Sequence, residues 1–159
     1  MRKRVLGKTG LEVSELSLGG LYLSSRGAAF EQAKETIRRA VDIGINYIDT
    51  APAYMNSEEV IGEALGELNR KVIISTKLGG FPNPFDPKSK DCLMRSVETS
   101  LKHFNRDYID IIMVHEPDRP GEFDWWDTYG PDLTGPVIEL LEELKKDGVV
   151  RYTGVGGTT

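Results

Sequence analysis

The chain has 159 residues, of which 39% are hydrophobic and 28% charged, and its formal net charge is −5. That length supports one domain with its own core, and the acidic balance excludes a nucleic-acid or membrane-surface partner held by charge alone. No apolar run reaches the roughly 20 residues that a membrane span needs.

The basic start, Met1-Arg2-Lys3-Arg4, gives way to Gly7-Lys8-Thr9-Gly10 too soon for a signal peptide. The single cysteine, Cys92, leaves no internal disulfide and fits a reducing, cytoplasmic location. With only His103 and His115, a histidine-rich metal site is not expected.

Along the chain, Arg4-Val5-Leu6 and Leu11-Glu12-Val13 flank a glycine turn and predict a small hairpin. Leu16-Ser17-Leu18 follows as a short strand running into Gly19-Gly20. Phe30, Ala33, Ile37, Ala40 and Val41 have helical spacing, with Gly44 where a C-cap falls. Ile45 to Ile48 reads as a strand closed by Asp49.

Asn56 and Ser57 supply an N-cap, and Glu58 and Glu59 an acidic first turn, for a helix reaching Asn69. A strand from Val72 to Thr76 ends at Lys77 and is followed by a Pro/Gly-rich loop. Leu93, Val97, Leu101 and Phe104 mark the next helix, which ends at Asn105. His103, near that helix's C-terminus, suits the helix dipole at the surface. Ile109 to Val114 runs into His115, with Asp110 mid-strand as a structural acid. Glu116 to Gly135 is a long loop of the kind that often carries function. Val137, Leu140, Leu141 and Leu144 form the last helix, and Val149 to Val155 the last strand. Short apolar strands alternating with helices predict a parallel sheet with right-handed crossovers in a single domain, 1–159.

Asp49, Lys77 and His115 close successive strands, and Tyr54 lies on the loop after the first of them. In a parallel sheet those ends share one face, where α/β proteins place their chemistry. A buried ammonium makes a phenol a stronger acid, and a paired carboxylate keeps the ammonium charged. Asp49, Lys77 and Tyr54 form such a set, and His115 adds an N–H for a substrate oxygen. Such a group can protonate an oxygen while the neighbouring carbon accepts a hydride. Each residue also has a plain role: Asp49 as a turn cap, Tyr54 as a loop residue, Lys77 as a solvated charge, His115 as a partner of a backbone carbonyl. Trp125, Trp126 and Tyr129 suit either a substrate wall or the packing of the loop onto the body. Gly19-Gly20 lacks the Gly-x-Gly-x-x-Gly pattern of a dinucleotide fold. Glu116 and Asp118 beside His115 match no metal-ligand spacing.

The stretch Tyr47-Ile48-Asp49-Thr50-Ala51-Pro52-Ala53-Tyr54, with Asn56-Ser57-Glu58 and Ile61-Gly62, resembles the signature of the aldo-keto reductase superfamily. Ile74-Ser75-Thr76-Lys77, His115-Glu116-Pro117-Asp118, Leu140 to Arg151 and Gly154-Val155-Gly156 match its later landmarks. The resemblance implies a (β/α)8 TIM-type barrel whose bottom is closed by an N-terminal hairpin. It implies reduction of an aldehyde or ketone to an alcohol by hydride from NADPH. Tyr54 is then the proton donor, Lys77 and Asp49 tune it, and His115 orients the carbonyl.

Gly20 and Leu21 match positions beneath the nicotinamide, and Asp49, Gly157 and Thr158 are further cofactor candidates. Tyr22, Trp125 and Trp126 are candidates for the substrate pocket, and no metal is implied. Two departures stand out. Met55 replaces a frequent glycine, and Gly156-Gly157-Thr158 replaces the commoner Ser-Asn pair that holds the carboxamide. Such a barrel typically needs about 250 residues, so the expectation is an incomplete, N-terminal part with five barrel strands. The loop that separates NADP(H) from NAD(H) would lie beyond Thr159, which leaves NAD(H) open. The expected partner is a small carbonyl substrate, with self-association through open sheet edges. The alternative is an inactive fragment or interaction subunit, since the family includes channel-associated subunits.

Overall fold

Five strands lie side by side in chain order, β3 (Leu18–Gly19), β4 (Tyr47–Asp49), β5 (Ile73–Leu78), β6 (Ile109–His115) and β7 (Val150–Gly156), and all neighbours are parallel. A separate antiparallel pair, β1 (Lys3–Val5) and β2 (Glu12–Ser14), precedes them. The structure is a computed structural model that describes residues 1–119, 121, 123–130 and 132–158, with the side chains of residues 67, 69 and 70 also left aside. Helices α1 (Phe30–Asp42), α2 (Ser57–Leu65), α3 (Lys90–Phe104) and α4 (Pro136–Lys146) fill the crossovers. The result is the first part of a TIM-type barrel, with five strands in the wall and helices outside.

Alternation along each strand divides the interior. Outward residues of β4 and β5, Ile48 and Ile74, pack with Ile37 of α1 and Val60, Ile61 and Leu65 of α2. Ile112 and Val114 of β6 pack with Leu93 and Val97 of α3 and Leu140 and Leu144 of α4. Inward residues Tyr47, Ile73, Ile111, Met113 and Tyr152 instead meet Leu11 and Val13. The hairpin is therefore the barrel floor. It is fastened there by the Asn46 side chain, which accepts from the Ser14 N–H at 2.7 Å and donates to the Glu12 carbonyl at 2.9 Å. The Tyr152 hydroxyl adds a bond to the Thr9 carbonyl.

Several boundaries follow from local chemistry. Gly44 takes φ 95° just after α1, as its predicted capping role requires. Ser89 caps α3 by accepting from the Cys92 N–H, and Asn105 ends that helix in the left-handed region at φ 52°. Helix α2 departs from expectation. It stops at Leu65 because Gly66 turns the chain at φ 46°, and a 3-10 segment, Gly66–Lys71, replaces the last predicted turn. Asn56 does not cap α2 with its side chain; its Oδ1 accepts from the Ser25 N–H at 2.8 Å instead. Strand β5 runs to Leu78, so Lys77 is held within the ladder rather than past its end.

The backbones of α2 and α3 nearly touch. A Cβ at Gly62 would sit 2.0 Å from the His103 carbonyl oxygen, so no other residue fits there without parting the helices. Four residues earlier on α2, Glu58 is buried and accepts from Thr76 Oγ1 of β5 at 2.6 Å and Ser100 Oγ of α3 at 2.9 Å. His103 Nδ1 lies 3.2 Å from the same carboxylate, and its Nε2 lies 3.3 Å from Glu59. His103 thus joins two elements rather than merely complementing a dipole. Asp110, structural as expected, accepts from Arg106 at 2.7 Å, Arg151 at 2.9 Å and the Ile74 N–H at 3.0 Å.

Candidate active site

The parallel register sets Asp49 beside Ser75, Lys77 beside Met113, and His115 beside Gly156, all on the inward face at the C-terminal end of the sheet. Lys77 is 6% exposed, and its ammonium donates to Asp49 Oδ2 and to the Thr50 carbonyl, both at 2.8 Å. A buried ammonium needs such partners, because desolvation otherwise costs several kcal/mol in general. Its Nζ lies 5.1 Å from the centre of the Tyr54 ring. The Tyr54 and His115 rings meet edge to face at 5.9 Å. The three strand residues and Tyr54 of the following loop are therefore one cluster.

They open onto a cavity of about 340 Å³, lined also by Met113, Glu116, Gly156, Gly157 and Thr158. That volume lies at the lower end of small-molecule sites. Gly156 matters to its shape: a Cβ there would approach Lys77 Cε at 3.2 Å and Met113 Sδ at 3.3 Å. Glu116, next to His115, takes φ 47°, a strained conformation for a side-chain-bearing residue.

Other candidates are held around this centre. Gly20 is buried; its N–H donates to the Asp49 carbonyl at 2.7 Å, and its carbonyl accepts from Ser57 Oγ at 2.9 Å. A Cβ on Gly20 would come within 2.6 Å of both Ser57 Oγ and Thr50 Oγ1. Leu21 and Tyr22 follow on a 3-10 turn, where Tyr22 is 66% exposed. The Thr158 amide donates to Asp118 at 3.1 Å and its hydroxyl to Glu116 at 2.7 Å. Gly157 lies against Asp118, where a Cβ would meet Oδ1 at 2.6 Å.

Trp125 and Trp126 are both buried in the outer core and are not among the residues lining the cavity. Trp125 stacks among Phe85 and Phe123 and donates its indole N–H to the His115 carbonyl at 2.9 Å. Its place is behind His115, steadying the strand end. Met55 takes φ 52°, the region that favours glycine, the residue that the resemblance leads one to expect there.

Sequence reasoning missed Ser75. It is fully buried, and its hydroxyl donates to Asp49 Oδ1 at 2.9 Å. Tyr47 lies two residues before Asp49 on the same strand, and burial pushes its phenol above its ordinary value. Only the period-2 pattern, which places positions 47, 49, 75 and 77 on one face, carries a signal for it.

A parallel α/β barrel wall with an acid–base cluster at the C-terminal strand ends defines a barrel of the enzyme-like class. Comparison with known proteins narrows this. Residues 15–159 match the profile of the Aldo/keto reductase family, and the chain belongs to that family. An uncharacterized oxidoreductase of Bacillus subtilis (strain 168), YqkF, is 34% identical over 98% of this chain and 48% of its own length. L-galactose dehydrogenase of Arabidopsis thaliana is 34% identical over 97% of this chain and 48% of its length. A putative voltage-gated potassium channel subunit beta of Schizosaccharomyces pombe is 38% identical over 95% and 44%.

Among solved structures, a putative aldo-keto reductase from Pseudomonas aeruginosa superposes with a TM-score of 0.80 at 34% identity, covering 99% of this chain and 60% of that one. The holo form of aldo-keto reductase AKR11C1 from Bacillus halodurans gives 0.77 at 32% identity, covering 99% and 50%. The chain thus spans about half the length of the curated relatives it matches. Among the described residues no helix is long and apolar enough to cross a membrane.

Proposed function

We propose that this chain carries the acid–base half of an NADPH-dependent carbonyl reductase acting on a small aldehyde or ketone. The observation that supports it best is the single cluster of Asp49, Lys77, Tyr54 and His115 at the cavity. Tyr54 gives its hydroxyl proton to the carbonyl oxygen. The Lys77 ammonium beside its ring stabilises the phenolate left behind, and Asp49 keeps the ammonium charged. His115 aims an N–H at the same oxygen and so fixes the carbonyl's orientation.

A nicotinamide cofactor, when bound, supplies the hydride that the carbonyl carbon takes up. The cavity suits such a group: Met113 and the bare Gly156 offer an apolar floor, while Asp49 and Thr158 stand at its polar edge. Gly20, Leu21, Asp49, Gly157 and Thr158 are the residues we assign to holding it. Thr158 would have to exchange its bonds to Asp118 and Glu116 to serve a carboxamide. NAD(H) is the competing cofactor for the same residues, and Tyr22, exposed beside Gly20, is the remaining substrate-side candidate.

A second reading is a non-catalytic interaction subunit, favoured by the similarity to channel beta subunits and by the outward residues of β7, where Val155 is 66% exposed. Titration of NADPH into the purified chain separates the two. Micromolar binding together with NADPH oxidation by a short aldehyde supports the reductase; no binding supports the subunit. Tyr54→Phe should then remove turnover while leaving the far-ultraviolet spectrum intact. Persistent turnover in that variant would exclude Tyr54 as the proton donor.

A further inference from the structure

Asp49 has two oxygens and two different obligations. Oδ2 faces the Lys77 ammonium at 2.8 Å, and Oδ1 accepts from Ser75 Oγ at 2.9 Å. A carboxylate can only accept, so the one proton on the Ser75 hydroxyl is committed to Oδ1. The two contacts divide the carboxylate: Oδ1 is held by Ser75 and Oδ2 by Lys77.

The backbone makes this arrangement rigid. Tyr47 and Asp49 are two residues apart on β4, and Asp49 is the register partner of Ser75 on β5, so all three side chains share the inward face. Ser75 is fully enclosed, whereas the Asp49 side chain keeps 35% exposure toward the cavity. An exposed carboxylate held by one contact can rotate about its terminal torsion. The serine contact removes that freedom at the oxygen away from Lys77.

We propose that Ser75 is a positioning residue that locks the Asp49 carboxylate and thereby holds the Lys77 ammonium against Tyr54. The proposal rests on the carbonyl-reductase reading for its kinetic consequence, but not for its structural one. Ser75 touches neither cavity nor reacting atoms; it acts through Asp49. Loss of the lock leaves the apolar packing of β5 in place, since serine contributes only a hydroxyl.

The test compares Ser75→Ala and Ser75→Thr with the wild-type chain by two readouts. In the first, the Lys77 ammonium is followed by proton–nitrogen correlation spectroscopy, which detects lysine ammonium groups only when hydrogen bonds slow their exchange. A Lys77 signal is expected in wild type and Ser75→Thr, and lost in Ser75→Ala. In the second, carbonyl reduction is measured: kcat should fall about tenfold in Ser75→Ala with KM changed less than about twofold, roughly 1.4 kcal/mol at the transition state. Ser75→Thr, which keeps the hydroxyl, should recover most of that loss. An unchanged Lys77 signal in Ser75→Ala, or none in wild type, overturns the proposal. A KM effect as large as the kcat effect also overturns it. Absence of turnover in wild type with the expected spectra would instead defeat the reductase reading and leave the lock standing.

Discussion

The two faces of β5 carry two polar networks of opposite meaning. Inward, Ser75 and Lys77 bind Asp49; outward, between them, Thr76 binds Glu58. Both carboxylates accept from hydroxyls and pair with a nitrogen-bearing side chain, so hydrogen bonding does not distinguish them. Access does. The Asp49 side chain is 35% exposed, whereas that of Glu58 is 3% exposed beneath α2 and α3. A satisfied buried network ties elements together in either place. Such a network can serve chemistry only where one side is left open to a reactant, and the inward side is the open one.

The difference is breakable. The largest expected effect is at Lys77: replacing it by Met should lower carbonyl reduction by about a thousandfold, about 4 kcal/mol, with the urea midpoint nearly unchanged. A drop in stability comparable to that at Glu58 would show that the inward network is structural as well. Glu58→Ala should do the reverse and cost about 3 kcal/mol of unfolding free energy, because Thr76 and Ser100 would each lose their buried acceptor. Urea denaturation at fixed pH measures it, and a loss below about 1 kcal/mol would contradict the keystone role.

A smaller effect tests the sign of the outward pair. The Glu58 carboxylate holds His103 above its ordinary value, against desolvation by burial. A raised value in the folded state means that the stabilisation is full below the unfolded value, about 6.5, and disappears as pH rises through the folded one. Other charges facing the ring are Glu59, which adds to the rise, and Lys102, which opposes it; Phe81 meets its edge at 6.0 Å. Melting of wild type against His103→Asn should therefore differ more at pH 5.5 than at pH 9. An equal difference at both would remove the ion pair from the account. Smallest of all, Met55→Gly should stabilise by up to about 1 kcal/mol by relieving a left-handed backbone, since the side chain is 61% exposed and packs little. A loss of stability there would mean that the methionine side chain contributes more than its conformation costs.

What the sequence made legible follows the same division. Asp49, Lys77 and His115 stood out because charged or polar groups at the ends of buried parallel strands need partners, and strand ends on one face supply them. Ser75 did not stand out, since a serine inside an apolar run looks neutral until its register partner is known. Glu58 and His103 were read as a first-turn acid and a dipole partner, because their mutual approach depends on how α2 crosses α3. The end of α2 was placed late for a similar reason: the apolar stripe continued past Gly66, and the backbone did not. Trp125 was ambiguous in composition and became readable only with Phe85 and Phe123 around it. Local pattern thus located the elements and their ends, while contacts between distant segments decided which polar groups share a network.

Gly62 has no functional group at all, yet it governs how far Glu58 can reach. With only a hydrogen between the α2 backbone and the His103 carbonyl, the two helices are as close as polypeptide permits. That spacing brings the carboxylate four residues away within reach of Ser100 and Thr76. A single methyl at position 62 would act as a wedge driven between the helices, and its thrust would arrive at β5 through Thr76. The next residue along that strand is Lys77, so damage done on the sealed face would be felt on the open one.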